Sequence, residues 1–292
     1  MAYPSPGGVY HIVSRNAPNL VLGVSGGDNH KEAKTILWRP DGTPNQAWRI
    51  ENQNGLWAFV PMHAVDKRLD ANNGCNELPV WIWDRTDGNN PNQLFRLEPT
   101  DSGFFCIRRN TDGAALDVFQ NRNDQGAELR CWSDNHRGAN QQWAFRPVGA
   151  PRPGGIYRIV PRNAENKVIG CTGGQTGEGT QLVLWDRDGT PNQSWRVEDQ
   201  GGVYTFTPMH AQDKRLDTNN NSSVTCHIWG AQAGNPNQTF RLDPCGDGYF
   251  CLRRINDGAA LDVFEGKNQN GAVLKGWPDC HRGPNQQWRF EE

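Results

Sequence analysis

The pattern Asn-Gln-x-aromatic occurs six times in this chain of 292 residues. The copies are Asn45-Gln46-Ala47-Trp48, Asn92-Gln93-Leu94-Phe95, Asn140-Gln141-Gln142-Trp143, Asn192-Gln193-Ser194-Trp195, Asn237-Gln238-Thr239-Phe240 and Asn285-Gln286-Gln287-Trp288. Successive aromatic residues are 47, 48, 52, 45 and 48 positions apart. Self-similarity at such a period indicates copies of one supersecondary unit that stack or surround an axis.

The six copies fall into two sets of three, because the second half of the chain repeats the first. Gly7-Gly8-Val9-Tyr10 returns as Gly154-Gly155-Ile156-Tyr157, and the segment 112–119 returns as 257–264. The offset between the halves is 147 residues at the start and 145 at the end. We therefore predict two domains, residues 1–149 and 150–292, with three copies in each.

Composition favours strands and turns over helices. Glycine (33 residues) and proline (19) are plentiful, while hydrophobic residues make up only 35%. The stretches 9–13, 104–108 and 203–207 alternate or are β-branched and aromatic, as is typical of strands. Short strands separated by glycine-rich turns predict an all-β barrel or sandwich. Three copies per domain favour the threefold barrel, so we predict two tandem β-trefoil domains.

Charge and apolar patterning exclude several classes of function. The net charge is −2 without a basic run, which argues against nucleic-acid binding. No apolar stretch approaches the ~20 residues of a membrane-spanning helix, so we expect no membrane insertion. The segment Met1–Pro6 lacks the basic and apolar regions of a signal peptide, and we expect a cytoplasmic protein. No metal-ligand spacing or phosphate-binding loop occurs, so neither a metal nor a cofactor is predicted.

The eight cysteines do not form a repeated framework. Cys106 and Cys251 correspond in the two halves, but Cys131, Cys171 and Cys280 have no cysteine partner at the equivalent position. A disulfide framework older than the duplication would be present in both halves. We therefore predict free, mostly buried thiols.

The third copy of each half carries the fullest version of a longer pattern. It runs Leu116-Asp117-Val118, Gly126-Ala127, Cys131-Trp132 and Asn140–Trp143, and again Leu261-Asp262-Val263, Gly271-Ala272, Gly276-Trp277 and Asn285–Trp288. This pattern resembles the repeat of the ricin B-chain (R-type) lectins, and the resemblance extends over essentially the entire chain. The chain departs from secreted members because it lacks their intra-repeat disulfides and has Phe95 and Phe240 in place of tryptophan. Cytosolic mushroom lectins, which lack those disulfides, are the more similar members.

The resemblance implies a division of labour within each copy. The aromatic residue of Asn-Gln-x-aromatic packs in the core, while the aspartate, the other tryptophan and the asparagine bind a sugar. The predicted sugar-binding residues of the third copies are Asp117, Trp132, His136, Asn140, Gln141, Asp262, Trp277, His281, Asn285 and Gln286. Those of the second copies are Asp70, Trp83, Asn92, Gln93, Asp217, Trp229, Asn237 and Gln238.

The first copies provide an internal control for the aspartate. They keep Trp38 and Trp185 and the complete Asn-Gln-x-Trp, but have Gly23 and Gly170 where the other copies have aspartate. The carboxylate is therefore not demanded by the barrel, which favours a role in binding over turn capping. We expect the first-copy pockets to be silent unless Asp28 or Asp41 replaces the missing carboxylate.

Spacing ranks the remaining copies. The aspartate and the tryptophan are 15 residues apart in both third copies, but only 13 and 12 apart in the second copies, where no histidine follows. The third copies are therefore the preferred sites, and the second copies are expected to be shallower or to bind differently.

These observations predict a multivalent lectin for glycans with galactose or N-acetylgalactosamine on glycoproteins or glycolipids, an agglutinin with a role in defence. The sugar preference and the biological role come from the resemblance alone. An enzyme is not expected, because a glycosidase needs two carboxyl groups across a cleft and no pair stands outside the repeat. A protein-binding trefoil, such as a protease inhibitor, is the alternative. Assembly into a homodimer stays open.

Overall fold

The computed structural model describes residues 3–72, 78–86, 88, 90–100, 103–134, 136–220 and 224–292. It contains two compact units, Tyr3–Val148 and Gly149–Glu292, called domain 1 and domain 2 below. Regular secondary structure in the described residues consists of strands and three-residue 3₁₀ turns, and each copy contributes four strands. The prediction of two all-β trefoil domains is confirmed.

The strands follow the copies in order. Domain 1 contains β1 (Val9–Ser14), β2 (Val21–Val24), β3 (Ala33–Trp38), β4 (Trp48–Gln53), β5 (Leu56–Pro61), β6 (Lys67–Asp70), β7 (Trp81–Asp84), β8 (Phe95–Pro99), β9 (Phe105–Arg109), β10 (Ala115–Val118), β11 (Leu129–Trp132) and β12 (Trp143–Pro147). Domain 2 contains β13 (Ile156–Pro161), β14 (Lys167–Cys171), β15 (Leu182–Asp186), β16 (Trp195–Asp199), β17 (Tyr204–Pro208), β18 (Lys214–Asp217), β19 (His227–Gly230), β20 (Phe240–Gly246), β21 (Tyr249–Arg254), β22 (Ala260–Val263), β23 (Leu274–Trp277) and β24 (Trp288–Glu291). The 3₁₀ turns are Ser25–Gly27, Pro44–Gln46, Phe119–Asn121, Ala139–Gln141, Thr172–Gly174, Pro191–Gln193, Pro236–Gln238, Phe264–Gly266 and Pro284–Gln286.

The first and last strands of the copies close a six-stranded barrel in each domain. In domain 1 the antiparallel pairs run β1–β4, β4–β5, β5–β8, β8–β9, β9–β12 and β12–β1. In domain 2 the ring is β13–β16, β16–β17, β17–β20, β20–β21, β21–β24 and β24–β13. A closed ring leaves the barrel without exposed strand edges.

The two middle strands of each copy form a hairpin at one end of the barrel. These hairpins are β2–β3, β6–β7 and β10–β11 in domain 1, and β14–β15, β18–β19 and β22–β23 in domain 2. Short bridges join the hairpins to one another, for example Ile36 to Glu128 and Val183 to Val273. Each hairpin carries the Leu-Asp pair or the equivalent Leu-Gly or Ile-Gly pair, so each domain has three equivalent candidate sites.

The aromatic residue of every Asn-Gln-x-aromatic copy is fully buried, as predicted. The tryptophans at these positions also donate Nε1–H to a carbonyl of their own hairpin, as in the bond from Trp143 to Leu116 O at 2.9 Å. Burying one tryptophan removes roughly 150–250 Å² from water, which contributes at most about 4–6 kcal/mol. The motif therefore ties each hairpin to the barrel core.

No helix in the described part of the chain is both long and apolar enough to cross a bilayer. Among the described residues, Cys106, Cys171, Cys226, Cys245, Cys251 and Cys280 are free thiols, and Cys131 is buried, as are four of these six. Cys75 lies outside the described residues.

Candidate functional site

The third copy of domain 1 forms a pocket beside the hairpin β10–β11. Asp117 lies opposite Arg130 in this hairpin and Ala115 lies opposite Trp132. Because alternate residues of a strand point to the same face, Asp117 and Trp132 lie on one side of the hairpin. The 3₁₀ turn before β12 brings Asn140 to the same place.

One oxygen of the Asp117 carboxylate is held by the protein and the other is not. Oδ2 accepts hydrogen bonds from Asn140 Nδ2 and Gln141 Nε2, both at 2.9 Å. Among the described residues no donor bonds Oδ1, and Asp117 lines the pocket. Burial raises the pKa of Asp117, against the opposing effects of Gln141, His136 and Asn140. The pocket thus presents an acceptor with a fixed orientation.

His136 supplies a donor next to this acceptor. Its Nδ1 accepts the backbone N–H of Gly138 at 3.0 Å, so the proton of the neutral ring is on Nε2. Nε2 is 3.8 Å from Asp117 Oδ2, and the side chain is 43% exposed. The structure therefore places His136 beside Asp117, in the pocket where the sequence predicts it. Its contact with a ligand stays a prediction.

Two aromatic rings form the apolar part of the pocket. The centroids of Phe119 and Trp132 are 6.2 Å apart at an interplanar angle of 48°, and the Arg130 guanidinium lies 3.6 Å from the Phe119 ring centroid. The cavity holds about 530 Å³, within the range of small-molecule sites. Gln120 and Asn121 complete the wall.

Phe119, Gln120 and Asn121 were not predicted from the sequence. A signal for Phe119 existed, because both third copies read Asp-Val-Phe after the leucine. That signal marks the aromatic residue but does not show on which side of the hairpin it packs.

The third copy of domain 2 reproduces the same arrangement. Asp262 Oδ2 accepts from Asn285 Nδ2 at 2.9 Å and from Gln286 Nε2 at 2.8 Å, and burial raises its pKa. His281 accepts from Gly283 N and has Nε2 3.8 Å from Asp262 Oδ2. Trp277 and Phe264 form the aromatic pair. The domains differ at one wall, where Glu265 and Gly266 replace Gln120 and Asn121.

The four glutamines of the predicted set lie beneath the pockets. Each is fully buried and donates both to the aspartate of its copy and to a backbone carbonyl, as Gln141 does to Asp134 O at 2.9 Å. They are Gln93, Gln141, Gln238 and Gln286. The structure therefore places them as supports of the carboxylate, without a surface that faces the pocket.

The second copies hold their aspartates differently. Asp70 accepts from Asn72 N through Oδ1 at 2.8 Å and from Gln93 through Oδ2 at 3.1 Å. Asp217 has the equivalent bonds from Asn219 N and Gln238, at 2.8 and 3.2 Å. Both carboxylate oxygens therefore serve the protein, in contrast to the third copies.

A buried arginine from the following copy also enters each second-copy site. Arg109 donates to Ala71 O at 3.2 Å, and Arg254 donates to Asn237 Oδ1 at 3.5 Å. The backbone carbonyls of Asn92 and Asn237 accept from the N–H groups of Ala71 and Thr218, which directly follow β6 and β18. Burial raises the pKa of Asp70, and the charge of Arg109 is among the opposing effects. These contacts give the second-copy aspartates a structural role of their own.

The second-copy tryptophans differ in their surroundings. Trp83 has the Lys31 ammonium 5.4 Å from its ring centroid, whereas Trp229 packs edge-on against His227. His227 Nε2 is 3.8 Å from Asp217 Oδ1. His227 was not predicted as a site residue, because it precedes Trp229 by two positions instead of following it; for the same reason it shares the face of β19 with Trp229.

The first copies form pockets without the central carboxylate. The domain 1 pocket is lined by Gly23, Trp38, Asp41 and Asn45, and the domain 2 pocket by Gly170, Trp185, Asp188 and Asn192. Gln46 still donates to a backbone carbonyl, Arg39 O, at 2.9 Å. The turn is thus complete without the aspartate. Of the two replacements considered, Asp41 lines the pocket, whereas Asp28 is exposed and pairs with His30.

No group of three or more His, Cys, Asp or Glu side chains in the described segments is arranged to hold a metal ion. The donors and acceptors of the third-copy pockets are instead suited to hydroxyl groups.

The family described as ricin-type beta-trefoil lectin domain-like matches the chain in residues 2–77, 44–132, 139–229, 212–277 and 236–292. Together these segments cover residues 2–132 and 139–292. No curated protein matches the chain.

Similar solved structures include a mosquitocidal holotoxin, with 18% identity, a TM-score of 0.44 and coverage of 100% of this chain and 35% of that chain. The chain thus spans about a third of the holotoxin. The agglutinin from Abrus precatorius has 17% identity and a TM-score of 0.41, over 100% of this chain and 99% of that chain. The Macrolepiota procera ricin B-like lectin in complex with lactose has 17% identity and a TM-score of 0.42, over 50% and 99%.

Proposed function

The chain belongs to the ricin-type β-trefoil lectin family, and on that premise we propose that it binds galactose or N-acetylgalactosamine residues of glycans. Carbohydrate binding is what the family assignment supports. The preference for these sugars and the location of the binding sites in the pockets of Asp117 and Asp262 are our proposal.

The observation that carries the proposal is the open Oδ1 of these two carboxylates. An ionised carboxylate accepts hydrogen bonds about twice as strong as those of a neutral acceptor. His136 and Trp132 line the same cavity as Asp117, and the face of the Trp132 ring suits the apolar C–H face of a pyranose. An axial 4-hydroxyl allows the sugar to contact the carboxylate and the indole together, which favours galactose.

Comparison among the copies supports the same conclusion. The turn keeps its glutamine bond to the backbone with glycine in place of the aspartate, so the carboxylate is not needed for folding there. The second copies show what a structural aspartate looks like, since both oxygens of Asp70 are used by the protein.

Two pockets in one chain make the protein multivalent in this proposal. Linking two weak sites raises avidity on a glycan-covered surface by ~10²–10⁴ when both can engage. Agglutination of cells or glycoproteins would follow from that gain.

We further propose that the protein is not an enzyme. Glycosidases place two carboxyl groups on either side of the scissile bond. The domain 1 pocket contains Asp117 as its one carboxylate among the described residues. Glu265 in the domain 2 pocket is paired with Lys267 at 2.8 Å and corresponds to Gln120. Incubation with aryl galactosides should release no phenol.

A glycan array on the intact protein first tests which sugars it binds. Lactose is then titrated into three variants, which are Asp117→Ala, Asp262→Ala and the double variant. Each single change should remove one site. The double change should weaken binding about 100-fold, since hydrogen bonds to a charged group contribute roughly 1.5–3 kcal/mol each.

Asp70→Ala is the matched control, because it removes an aspartate whose oxygens serve the protein. It should leave lactose binding intact and lower the melting temperature. If the double variant still binds lactose and Asp70→Ala does not, the binding sites lie in the second copies instead.

A further inference from the structure

The two third-copy pockets differ in one side chain at the end of a wall. In domain 1 the 3₁₀ turn Phe119–Asn121 ends with Asn121, which lines the pocket. The equivalent turn of domain 2 ends with Gly266. Gly27 and Gly174 have the same place in the first-copy turns. Among these four turns, only Asn121 therefore brings a side chain to this place.

The backbone at this place favours glycine. The φ of Asn121 is 55°, and that of Gly266 is 62°. Both values lie in the left-handed region, where a side chain is unfavourable, although asparagine is tolerated better than most residues. The three other turns have glycine here, so domain 1 keeps its asparagine at a cost in stability that glycine would avoid. Such an outlier beside a pocket indicates a role for the side chain.

Asn16, from the first copy, holds the Asn121 side chain. Its Nδ2 donates to the carbonyl of Arg122 at 3.0 Å and to Asn121 Oδ1 at 3.1 Å. Because a backbone carbonyl can only accept, Asn16 presents its NH2 group here, and the atom of Asn121 that meets this group is the oxygen. Ser14 Oγ donates to the other end of the Asn16 amide, at 2.6 Å from Oδ1. These bonds fix the orientation of the Asn121 amide.

The NH2 group of the fixed amide has no protein partner. Within the described residues, no acceptor bonds Asn121 Nδ2, and the side chain is exposed. Asn121 belongs to the wall of the cavity that Asp117 and Trp132 also line. A donor there complements the open acceptor of Asp117, because a sugar hydroxyl can donate to one group and accept from another.

We propose that Asn121 donates a hydrogen bond to an oxygen atom of the sugar bound in domain 1, and that Asn16 is its positioning residue. The inference rests on the proposed function, since its ligand is a galactoside. Domain 2 has Gly266 in place of this donor. Of the two pockets, that of domain 1 therefore binds the same galactoside more tightly.

Domain 2 shows how the turn is held without the side chain. Asn163 corresponds to Asn16, and its Nδ2 donates to Gly266 O at 3.1 Å and to Lys267 O at 3.4 Å. Both acceptors belong to the backbone. Apart from its chain neighbours, a Cβ added at Gly266 would meet no atom of the described residues within 4 Å. A side chain can therefore be introduced there.

The test exchanges the two residues in the full chain. With Asp262→Ala, lactose titration reports the domain 1 pocket, where Asn121→Gly should weaken the affinity about threefold to tenfold, as for the loss of one hydrogen bond. With Asp117→Ala, it reports the domain 2 pocket, where Gly266→Asn should strengthen the affinity by a similar factor. A gain in domain 2 cannot result from damage to the fold.

Two further variants separate the contact from its positioning. Asn121→Asp keeps the oxygen that accepts from Asn16 and removes only the NH2 group, so it should weaken lactose binding as Asn121→Gly does. Asn16→Ala should also weaken binding in domain 1, but much less once residue 121 is glycine. Asn163→Ala is the matched control. It should change the lactose affinity of domain 2 less than Asn16→Ala changes that of domain 1, because the bonds it removes go to the backbone.

The outcomes distinguish this inference from the proposed function. If both parent variants bind lactose and neither exchange changes the affinity, the inference is wrong and the proposed function stands. Equal losses from Asn16→Ala with and without Asn121 would show that Asn16 supports the turn and does not act through Asn121. A chain that binds no galactoside overturns the proposed function and this inference together.

Discussion

The first and third copies of each domain share a fold element, but the third copies have an aspartate where the first copies have glycine. Trp48 and Trp143 are both fully buried, and each donates to a carbonyl of its hairpin at 2.9 Å. Gln46 and Gln141 both donate to a backbone carbonyl at 2.9 Å. Only Gln141 also donates to an aspartate carboxylate, because the first copy has glycine at that position. The glutamine amide has a second N–H to spare, so the repeat can add a carboxylate without changing its turn.

The largest effect should come from the part that the two copies share. Trp48→Ala and Trp143→Ala should each destabilise the folded protein by about 3–5 kcal/mol, since each leaves a cavity in the barrel core. Chemical denaturation of the full-length variants measures the loss. Trp38→Ala is the control, because Trp38 is 38% exposed and should cost far less. A much smaller loss for Trp48 than for Trp143 would show that the two copies do not share one structural role.

A smaller effect tests whether the carboxylate alone distinguishes the copies. At Gly170 an added Cβ would lie 3.2 Å from Gln193 Cγ and 3.5 Å from Asn192 Nδ2. Gly170→Asp therefore requires a shift of a few tenths of an ångström and brings the carboxylate to the amide. We expect a third, weaker lactose site, counted by isothermal titration calorimetry. Gly170→Ala introduces the same Cβ without the charge and should add no site.

The smallest effect is the pH dependence of binding. Burial raises the pKa of Asp117, whereas hydrogen bonds from Thr43 lower the pKa of Asp41 in the first copy. As pH falls through the raised value, the Asp117 carboxylate takes up a proton and becomes a weaker acceptor.

As the pH is lowered, the lactose affinity should therefore begin to fall while the pH is still above 3.8, the ordinary pKa of aspartate. The loss should be about tenfold, because a hydrogen bond to a charged acceptor is replaced by one to a neutral acceptor. Protonation also relieves the cost of burying this charge, so Asp117 itself does not drive unfolding there. Titrations between pH 7 and pH 4, with circular dichroism as a check on folding, measure the effect. Binding that persists to lower pH would favour Asp41 and the first-copy pockets.

The architecture was predictable because the signal lies in local sequence. Six evenly spaced aromatic residues each begin a barrel strand, and the predicted strand 203–207 differs from β17 (Tyr204–Pro208) by one residue. The glycines at positions 23 and 170 also predicted that the turn does not need a carboxylate, and the glutamines of these copies keep their bonds to backbone carbonyls.

The site was predictable only in part, because its walls depend on backbone turns and on neighbouring copies. Phe119 packs near Trp132 and begins a turn in which Gln120 has a φ of 59°, and no spacing rule reveals that turn. Arg109 reaches the second-copy site from the next copy along the chain. The predicted ligand residues also include four glutamines, but their side chains are buried and bond to the aspartates, as Gln141 and Gln286 do.

The ring that joins β1 to β12 also constrains how domain 1 is made. Tyr10 pairs with Pro147, so the barrel cannot close until nearly the entire domain has been synthesised. Pairings between distant parts of a chain slow folding, and the nascent chain carries unpaired strand edges until the last copy arrives. A chain cut before β12 should therefore aggregate rather than persist as a smaller barrel.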